Sequence, residues 1–396
     1  MKYRQPLQLS TLTIFLFVMV ARVQSQWLLD VDTFAGYNEN IIGTYNAPDD
    51  FLAVPNIEIS RMTESLEFYY SGTFTQFQQN TQFNNTLHGI GFDYRLIQAA
   101  NISSNIGANY SIANYRDNYS YYNNQQLYGF INLKYYPTRS TLIKGGFALH
   151  NKNFVEEKAW NHWESLLYLQ YNLFLKTKTT IRLGADLLYR NFMPYAIDED
   201  VTGWHSGRGG HGSYYSISRY DELPSLWQTF FVARIAQSLG RRTGGYAEYA
   251  YRYNHSEGNP YELEIESFSP IDDYFGYRGN YLTTHLKYKI TSAFWSAFNY
   301  HRYFRHYVNR LVYEYDFDGQ TWVVENDDYV MTALHREDTG QRVEISFGYA
   351  INRFLKKASS LEIIVLFTYR KNDSNDPYFR YEDKSAGLQS NFGLQW

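Results

Sequence analysis

Residues 386–396 read AGLQSNFGLQW, and the chain ends inside a two-residue alternation. Leu388, Ser390, Phe392, Leu394 and Trp396 share one face of an extended strand, and Gln389, Asn391, Gly393 and Gln395 share the other. Period two marks a strand with two chemically different sides. The same period recurs through most of the chain. Val343, Ile345, Phe347, Tyr349 and Ile351 alternate with Arg342, Glu344, Ser346, Gly348 and Ala350. Ile181, Leu183, Ala185, Leu187 and Tyr189 alternate with Arg182, Gly184, Asp186, Leu188 and Arg190. Leu282, Thr284, Leu286, Tyr288 and Ile290 do so with Thr283, His285, Lys287 and Lys289. Residues 361–370 are less pure, with Ile364 and Leu366 on the side that should be polar.

Marking every such run predicts strands near 27–37, 51–60, 65–78, 85–97, 102–115, 124–136, 141–155, 161–175, 178–192, 224–239, 243–255, 276–289, 292–305, 339–351, 359–371 and 386–396. The first two are the weakest, and Pro55 removes a ladder donor from the second. Short links at 61–64, 98–101, 137–140, 176–177, 240–242, 290–291 and 352–358 alternate with mostly longer ones. The longest are 193–223, 256–275, 306–338 and 372–385. Many strands reach the ~10 residues needed to cross a bilayer at a tilt. A soluble propeller or sandwich would use shorter strands, and no blade repeat is visible. The expected fold is all-β: one transmembrane antiparallel up-and-down β-barrel of about 16 strands, within a range of about 14–18. Short turns and both termini are expected on the periplasmic side, and long loops outside.

The N-terminus is set apart from that fold. Lys2 and Arg4 precede an apolar run, LTIFLFVMVA at 12–21, and Val23 and Ser25 precede a cleavage point between Ser25 and Gln26. This is the order of a secretory signal peptide, and the run is too short for a membrane anchor. Residues 1–25 are therefore read as the leader and 26–396 as the barrel, with no plug or helical-repeat module expected before the first strand. Mean hydropathy is -0.49, which suits a barrel because only alternate residues of its strands meet lipid. The 40 Tyr suit the two membrane–water belts. With no Cys, disulfides, thiolate metal sites and N-terminal lipidation are excluded. A net charge of -4 gives no reason to expect nucleic acid as a partner.

If the apolar faces meet lipid, the opposite faces line the interior. That places Arg95, Lys134, Lys144, Arg182, Asp186, Arg190, Arg234, Glu248, Arg252, His285, Lys287, Arg342, Glu344, Glu362 and Arg370 toward the lumen, with Glu67, Asp93 and Lys289. Bases exceed acids in this set, which favours anionic solutes. The same residues would serve as bracing ion pairs in a filled barrel, but about 16 strands leave room for water.

The fifth outer loop carries Asp198, Glu199 and Asp200 and a Gly-rich run with His205 and His211. In the seventh, Asp318-Gly319 predicts a hairpin turn. Asp316 and Asp318 with Gly319, and Asp373 with Asp376, have calcium-ligand chemistry without the required spacing. Trp204, Tyr214, Tyr215 and Trp322 offer stacking faces, read mainly as loop packing. Ser165 near His162 has the residue types of a hydrolase, but nothing in the spacing sets the pair apart. No catalytic residue, cofactor or metal is assigned.

These features together resemble bacterial outer-membrane β-barrels: leader, alternating strands, short and long connections in turn, and the terminal Trp396. The resemblance covers essentially all of 26–396 and does not resolve one family. It implies residence in the outer membrane among lipids and lipopolysaccharide, and recognition of Trp396 by the barrel-insertion machinery. General porins are similar in strand number, but their constricting third loop is matched here only by a short segment near 117–123. Any constriction is then expected from the fifth or seventh loop. Polysaccharide exporters are similar in size alone, and their periplasmic helical repeats are missing. The function this implies is a porin-like passive channel for small solutes or an exported polymer, with a mixed-charge, slightly basic lumen. The alternative is a closed or partly plugged barrel that binds an envelope protein through its outer loops.

Overall fold

The computed structural model describes residues 26–45, 47–193, 225–255, 276–314, 324–325, 328–352 and 359–396. Sixteen antiparallel strands close into a single barrel. They are β1 (Gln26–Asn38), β2 (Asp50–Met62), β3 (Leu66–Phe77), β4 (Asn85–Gln98), β5 (Ile102–Tyr115), β6 (Asn124–Thr138), β7 (Thr141–Phe154) and β8 (His162–Phe174). Then follow β9 (Thr179–Phe192), β10 (Leu226–Ser238), β11 (Thr243–Asn254), β12 (Tyr277–Lys289), β13 (Phe294–Tyr313), β14 (Met331–Asn352), β15 (Ser359–Ser374) and β16 (Tyr381–Gln395). Each strand pairs with its sequence neighbours, and β1 pairs with β16 from Leu28↔Gln395 to Asn38↔Ser385. Closure leaves no strand edge unpaired, which is what a sheet in hydrocarbon requires.

All sixteen strands expected from the alternation are present. Pro55 sits in β2 opposite Thr33, and the β2–β3 ladder lapses at Val54 and Pro55, where the ring removes a donor. Two outer connections are shorter than the sequence reading predicts. β13 and β14 run well past residues 305 and 339. Their register shifts between His306 and Leu311 and again before Tyr313, and such shifts erase the period-two pattern. β16 begins at Tyr381 because Tyr381, Asp383 and Ser385 alternate with Glu382 and Lys384, two polar faces that carry no hydropathy contrast. The turn expected at Asp318-Gly319 lies outside the described residues. A two-stranded ribbon pairs Val324–Glu325 with Asp328–Tyr329.

The two sides of the wall differ as the alternation requires. Leu167, Leu169, Leu183, Phe231, Ile235 and Leu388 are large, apolar and exposed, and they belong to the outward rows. Exposed Trp163 and Trp227 mark the loop side, and Tyr94, Tyr171 and Tyr349 the turn side. In β8 the stretch from Trp163 to Tyr171 spans about 27 Å at ~3.4 Å per residue. At a tilt of roughly 40° that gives about 20 Å along the membrane normal, close to the apolar band of a barrel. Among the described residues, no helix is long and apolar enough to cross a membrane.

The second, third and fourth outer loops share one construction that the sequence reading did not detect. Each enters a short 3-10 turn (Thr81–Phe83, Asp117–Tyr122, Lys158–Trp160) and ends on an Asn. The side-chain oxygens of Asn84, Asn123 and Asn161 accept from the amides of Phe77, Tyr115 and Phe154 at 2.7, 2.6 and 2.6 Å. Their backbone carbonyls accept from Arg116, Val155 and Met193 of the next hairpin at 3.2, 2.9 and 2.8 Å. The aromatic residue before each Asn turns inward. Tyr122 and Trp160 are 0% and 1% exposed and join Phe154, Phe192, Leu226, Tyr277 and Tyr307 in one buried cluster at the loop-side rim. The third loop is thus short, as expected, yet it is built into the inner wall of the mouth. The fifth loop, and the part of the seventh that could narrow the channel, lie outside the described residues.

Candidate functional site

The candidate site is the inner face of the wall, built from alternate residues of all sixteen strands. The register puts every ionisable residue expected on the polar face opposite the apolar rows. Arg182 faces Arg234, which faces Glu248. Arg190 faces Glu164, Lys134 faces Lys144, Arg342 faces Arg370, and Glu362 faces Ala350. His285 and Lys287 share the inner row of β12 with Thr283, which pairs with Glu248. Arg95 lies at the turn-side rim, where its guanidinium donates to Glu64 O at 3.1 Å and Gln98 Oε1 at 2.7 Å.

Several of these charges are neutralised in the wall. Glu248 accepts from Arg182 and stands 2.8 Å from Arg234 Nε, so one carboxylate bridges two opposed guanidiniums. Arg190 donates twice to Glu164 Oε2, at 3.0 and 2.7 Å. Arg342 and Asn299 hold the two oxygens of Glu344 at 2.6 and 2.9 Å. Arg370 pairs with the buried Asp383 at 2.9 Å and donates to Asn40 O at 3.0 Å. Glu362 accepts from Trp295 Nε1 at 2.7 Å. Near the loop side, Arg252 lies 3.8 Å from the Tyr277 ring centre, Arg305 lies 4.3 Å from that of Tyr303, and Arg336 lies 3.3 Å from that of Phe379. Arg336 also grips Asp338 through two bonds, at 2.9 and 2.6 Å. Such contacts fix guanidiniums without filling the centre of the barrel.

The inner face also holds residues the sequence reading missed: Asp30 and Asp32 on β1, Glu58 on β2, Lys152 on β7, Glu164 on β8, Arg305, the Arg336–Asp338 pair, and Asp383. Most are acidic, which brings the lining nearer to charge balance than the sequence set alone. Asp30 and Asp32 alternate with Leu29, Val31 and Thr33, so β1 carries their signal within a weak alternation.

Like charges cluster at several places around the ring. β1 to β4 carry Asp30, Asp32, Glu58, Glu67 and Asp93, with Asp30 opposite Glu58 and Glu67 opposite Asp93. Lys134 and Lys144 face each other across β6 and β7, and Lys287 and Lys289 follow on β12. Like charges directly opposed across a ladder cost stability. Mere bracing would interleave the signs, as the Arg182–Glu248–Arg234 group does.

Large inner side chains lie against the wall. Tyr69, Phe130, Tyr168, Trp295 and Tyr303 each stand opposite a glycine of the neighbouring strand: Gly91, Gly107, Gly146, Gly348 and Gly340. Each ring occupies the space a Cβ on that glycine would need, with ring atoms 2.5 Å from the Cβ position at Gly91, Gly107 and Gly146. The glycines let bulky rings fold flat.

Other expected chemistry is resolved by position. His162 faces inward beside Phe192, with ring centres 5.5 Å apart, while Ser165 pairs with Leu149 and Tyr189 in the outward rows. Asp376 accepts from the Tyr378 amide at 3.1 Å and caps a 3-10 turn, and Asp373 pairs with Lys371 at 2.9 Å. Among the described residues no group of three metal-binding side chains converges. The acidic patch at 198–200, His205, His211, Trp204, Tyr214, Tyr215 and Trp322 lie outside the described residues.

No protein-family model matches the chain, and no curated protein matches it by sequence. Solved structures match its fold. OccAB1 of Acinetobacter baumannii aligns with a TM-score of 0.52 at 8% identity, over 94% of this chain and 97% of that one. OccK1 (OpdK) of Pseudomonas aeruginosa aligns with a TM-score of 0.48 at 8% identity, over 94% and 99%. A loop-deletion form of OmpT, an outer membrane protein of Vibrio cholerae, aligns with a TM-score of 0.44 at 10% identity, over 94% and 99%. The likeness is one of fold. The chain is a closed, sixteen-stranded antiparallel β-barrel, the fold these outer-membrane structures share.

Proposed function

We propose that the barrel is a passive channel for small hydrophilic solutes, or for an exported polymer, and that it selects by charge. One observation carries this reading: the bulky inner rings lie flat over cross-strand glycines. A barrel filled by its own side chains has no need of that arrangement, whereas a wall that must stay clear of the axis does. The uneven lining adds a field across the lumen, with an acidic cluster on β1 to β4 and opposed lysines on β6 and β7. Opposed like charges give up stability and act on whatever passes between them. In this reading residues 1–25 direct export, Trp396 is recognised by the insertion machinery, and the termini and short turns face the periplasm.

Conductance in planar bilayers tests the proposal. A steady current, with liposome swelling that falls as solute size rises, is the expected result. A barrel that inserts and carries no current refutes it. A second reading, attachment of an envelope partner, draws on the β13–β14 ribbon, which continues past the neighbouring strands on the loop side. It predicts copurification of a partner that is lost when the ribbon is trimmed.

A further inference from the structure

We propose an oxyanion-binding station at the turn-side exit of the lumen, between the β10–β11 turn and the end of β12, that takes phosphate-bearing solutes. Arg241, Arg242, His285, Lys287 and Lys289 line one cleft there with Tyr246, and no acidic side chain lines it. Among the described residues, none of the two arginines and two lysines is in an ion pair. Glu248, the inner carboxylate of β11, is already held by Arg182 and Arg234.

The cleft is a built feature. Tyr246 forms its back, stacked on His285 with ring centres 5.2 Å apart and planes 24° from parallel. Arg234 covers the Tyr246 ring at 3.8 Å. Lys287 Nζ sits 3.8 Å from the Trp295 ring centre, which steadies the ammonium without neutralising it. Gly244 and Gly240 leave the turn side open: a Cβ on Gly244 would stand 3.7 Å from its nearest neighbour, and one on Gly240 would meet nothing within 4 Å.

The chemistry favours phosphate. A monocarboxylate neutralises one of four cations, while a phosphate or pyrophosphate group offers several acceptor oxygens and more than one charge. Guanidiniums supply forked donors for such oxygens, and lysines supply movable point charges. A phospholipid headgroup has the same chemistry as a soluble phosphate ester. His285, Lys287 and Lys289 lie on the inner row of β12, so the solute reaches them from the lumen. Exposure of the turn keeps the hold weak at physiological salt, where the screening length is about 8 Å, and that suits a site of departure.

The station rests on the channel reading, because its occupant arrives through the lumen. Binding is measured without current, so loss of one result is distinguishable from loss of the other. The probe is inorganic pyrophosphate, titrated calorimetrically into the full-length barrel in neutral detergent at low ionic strength. Saturable binding is expected, weakened at least about tenfold in R241Q/R242Q/K289Q. R139Q/K176Q, which removes two charges from other turns of the same rim, should leave it unchanged. Heat-modified mobility on gels verifies that each variant is folded. Absence of binding in the wild type, or equal weakening in both variants, overturns the proposal. Phosphatidylglycerol retained by the wild type and not by the triple variant overturns the solute assignment and gives the cleft to a lipid headgroup.

Discussion

Trp27 and Trp396 join the two ends of the barrel wall. The amide of each donates to the carbonyl of the other, at 3.0 and 3.1 Å. Their rings stack 6.4 Å apart with planes 11° from parallel, and Arg61 lies 5.4 Å from the Trp27 ring centre. The last residue of the sequence thus closes the seam between β1 and β16.

The ring contact should therefore be worth measuring as a coupling. Trp27→Ala and Trp396→Ala, alone and together, are expected to show a coupling of ~0.5–1.5 kcal/mol in urea unfolding, because the backbone bonds survive both changes. Strict additivity would mean that the stack contributes nothing to closure.

Loop-side stability should depend on the Asn residues that link hairpins. Asn161→Ala leaves the Phe154 amide without its 2.6 Å acceptor beside the buried Trp160. A loss of about 1–3 kcal/mol follows from stranding a buried donor. Protease cleavage at the fourth loop should rise with it, while Asn153→Ala serves as a comparison. Unchanged unfolding in Asn161→Ala would show that the rim does not need this bond.

Ion selectivity should follow the charge clusters. Asp30→Asn with Glu58→Gln removes an opposed pair of acids and should shift the zero-current potential toward anion preference. Lys134→Gln with Lys144→Gln should shift it the opposite way. Both shifts should shrink in concentrated salt, where the screening length falls to about 3 Å. Equal potentials for the two variants would remove the clusters from the selectivity argument.

The glycine slots should be sensitive to a single methyl group. Gly348→Ala places a Cβ where the Trp295 ring lies, turning the indole inward and away from Glu362. A cost of roughly 1–3 kcal/mol and a smaller unit conductance are expected. Gly129→Ala, whose Cβ would meet its nearest atom at 3.9 Å, should change neither quantity.

Much of this architecture can be read from the sequence. Alternation located all sixteen strands because lipid imposes one requirement on every outward residue, and Val343 to Ile351 satisfy it plainly. Legibility failed where that requirement lapses. Tyr381 to Ser385 stand beyond the apolar band, so both faces are polar and the strand start is invisible. Leu311 and Tyr313 follow register shifts that scramble the period. That Arg182 to Arg370 share the face opposite the apolar rows was readable by parity alone. Which charges neutralise one another was not, since Arg182 meets Glu248 across an intervening strand. The repeated Asn bonds at 84, 123 and 161 involve side chain to backbone contacts, and nothing in hydropathy reports them.

The linked second, third and fourth loops give the mouth a stiff quadrant, while the β13–β14 ribbon stands up from another part of the rim. Among the described residues the rim is uneven, and this gives it a mechanical polarity. Pulling or crowding at the surface would bend the tall ribbon first and leave the buckled side nearly still, so any response to contact from outside should enter the wall through β13 and β14.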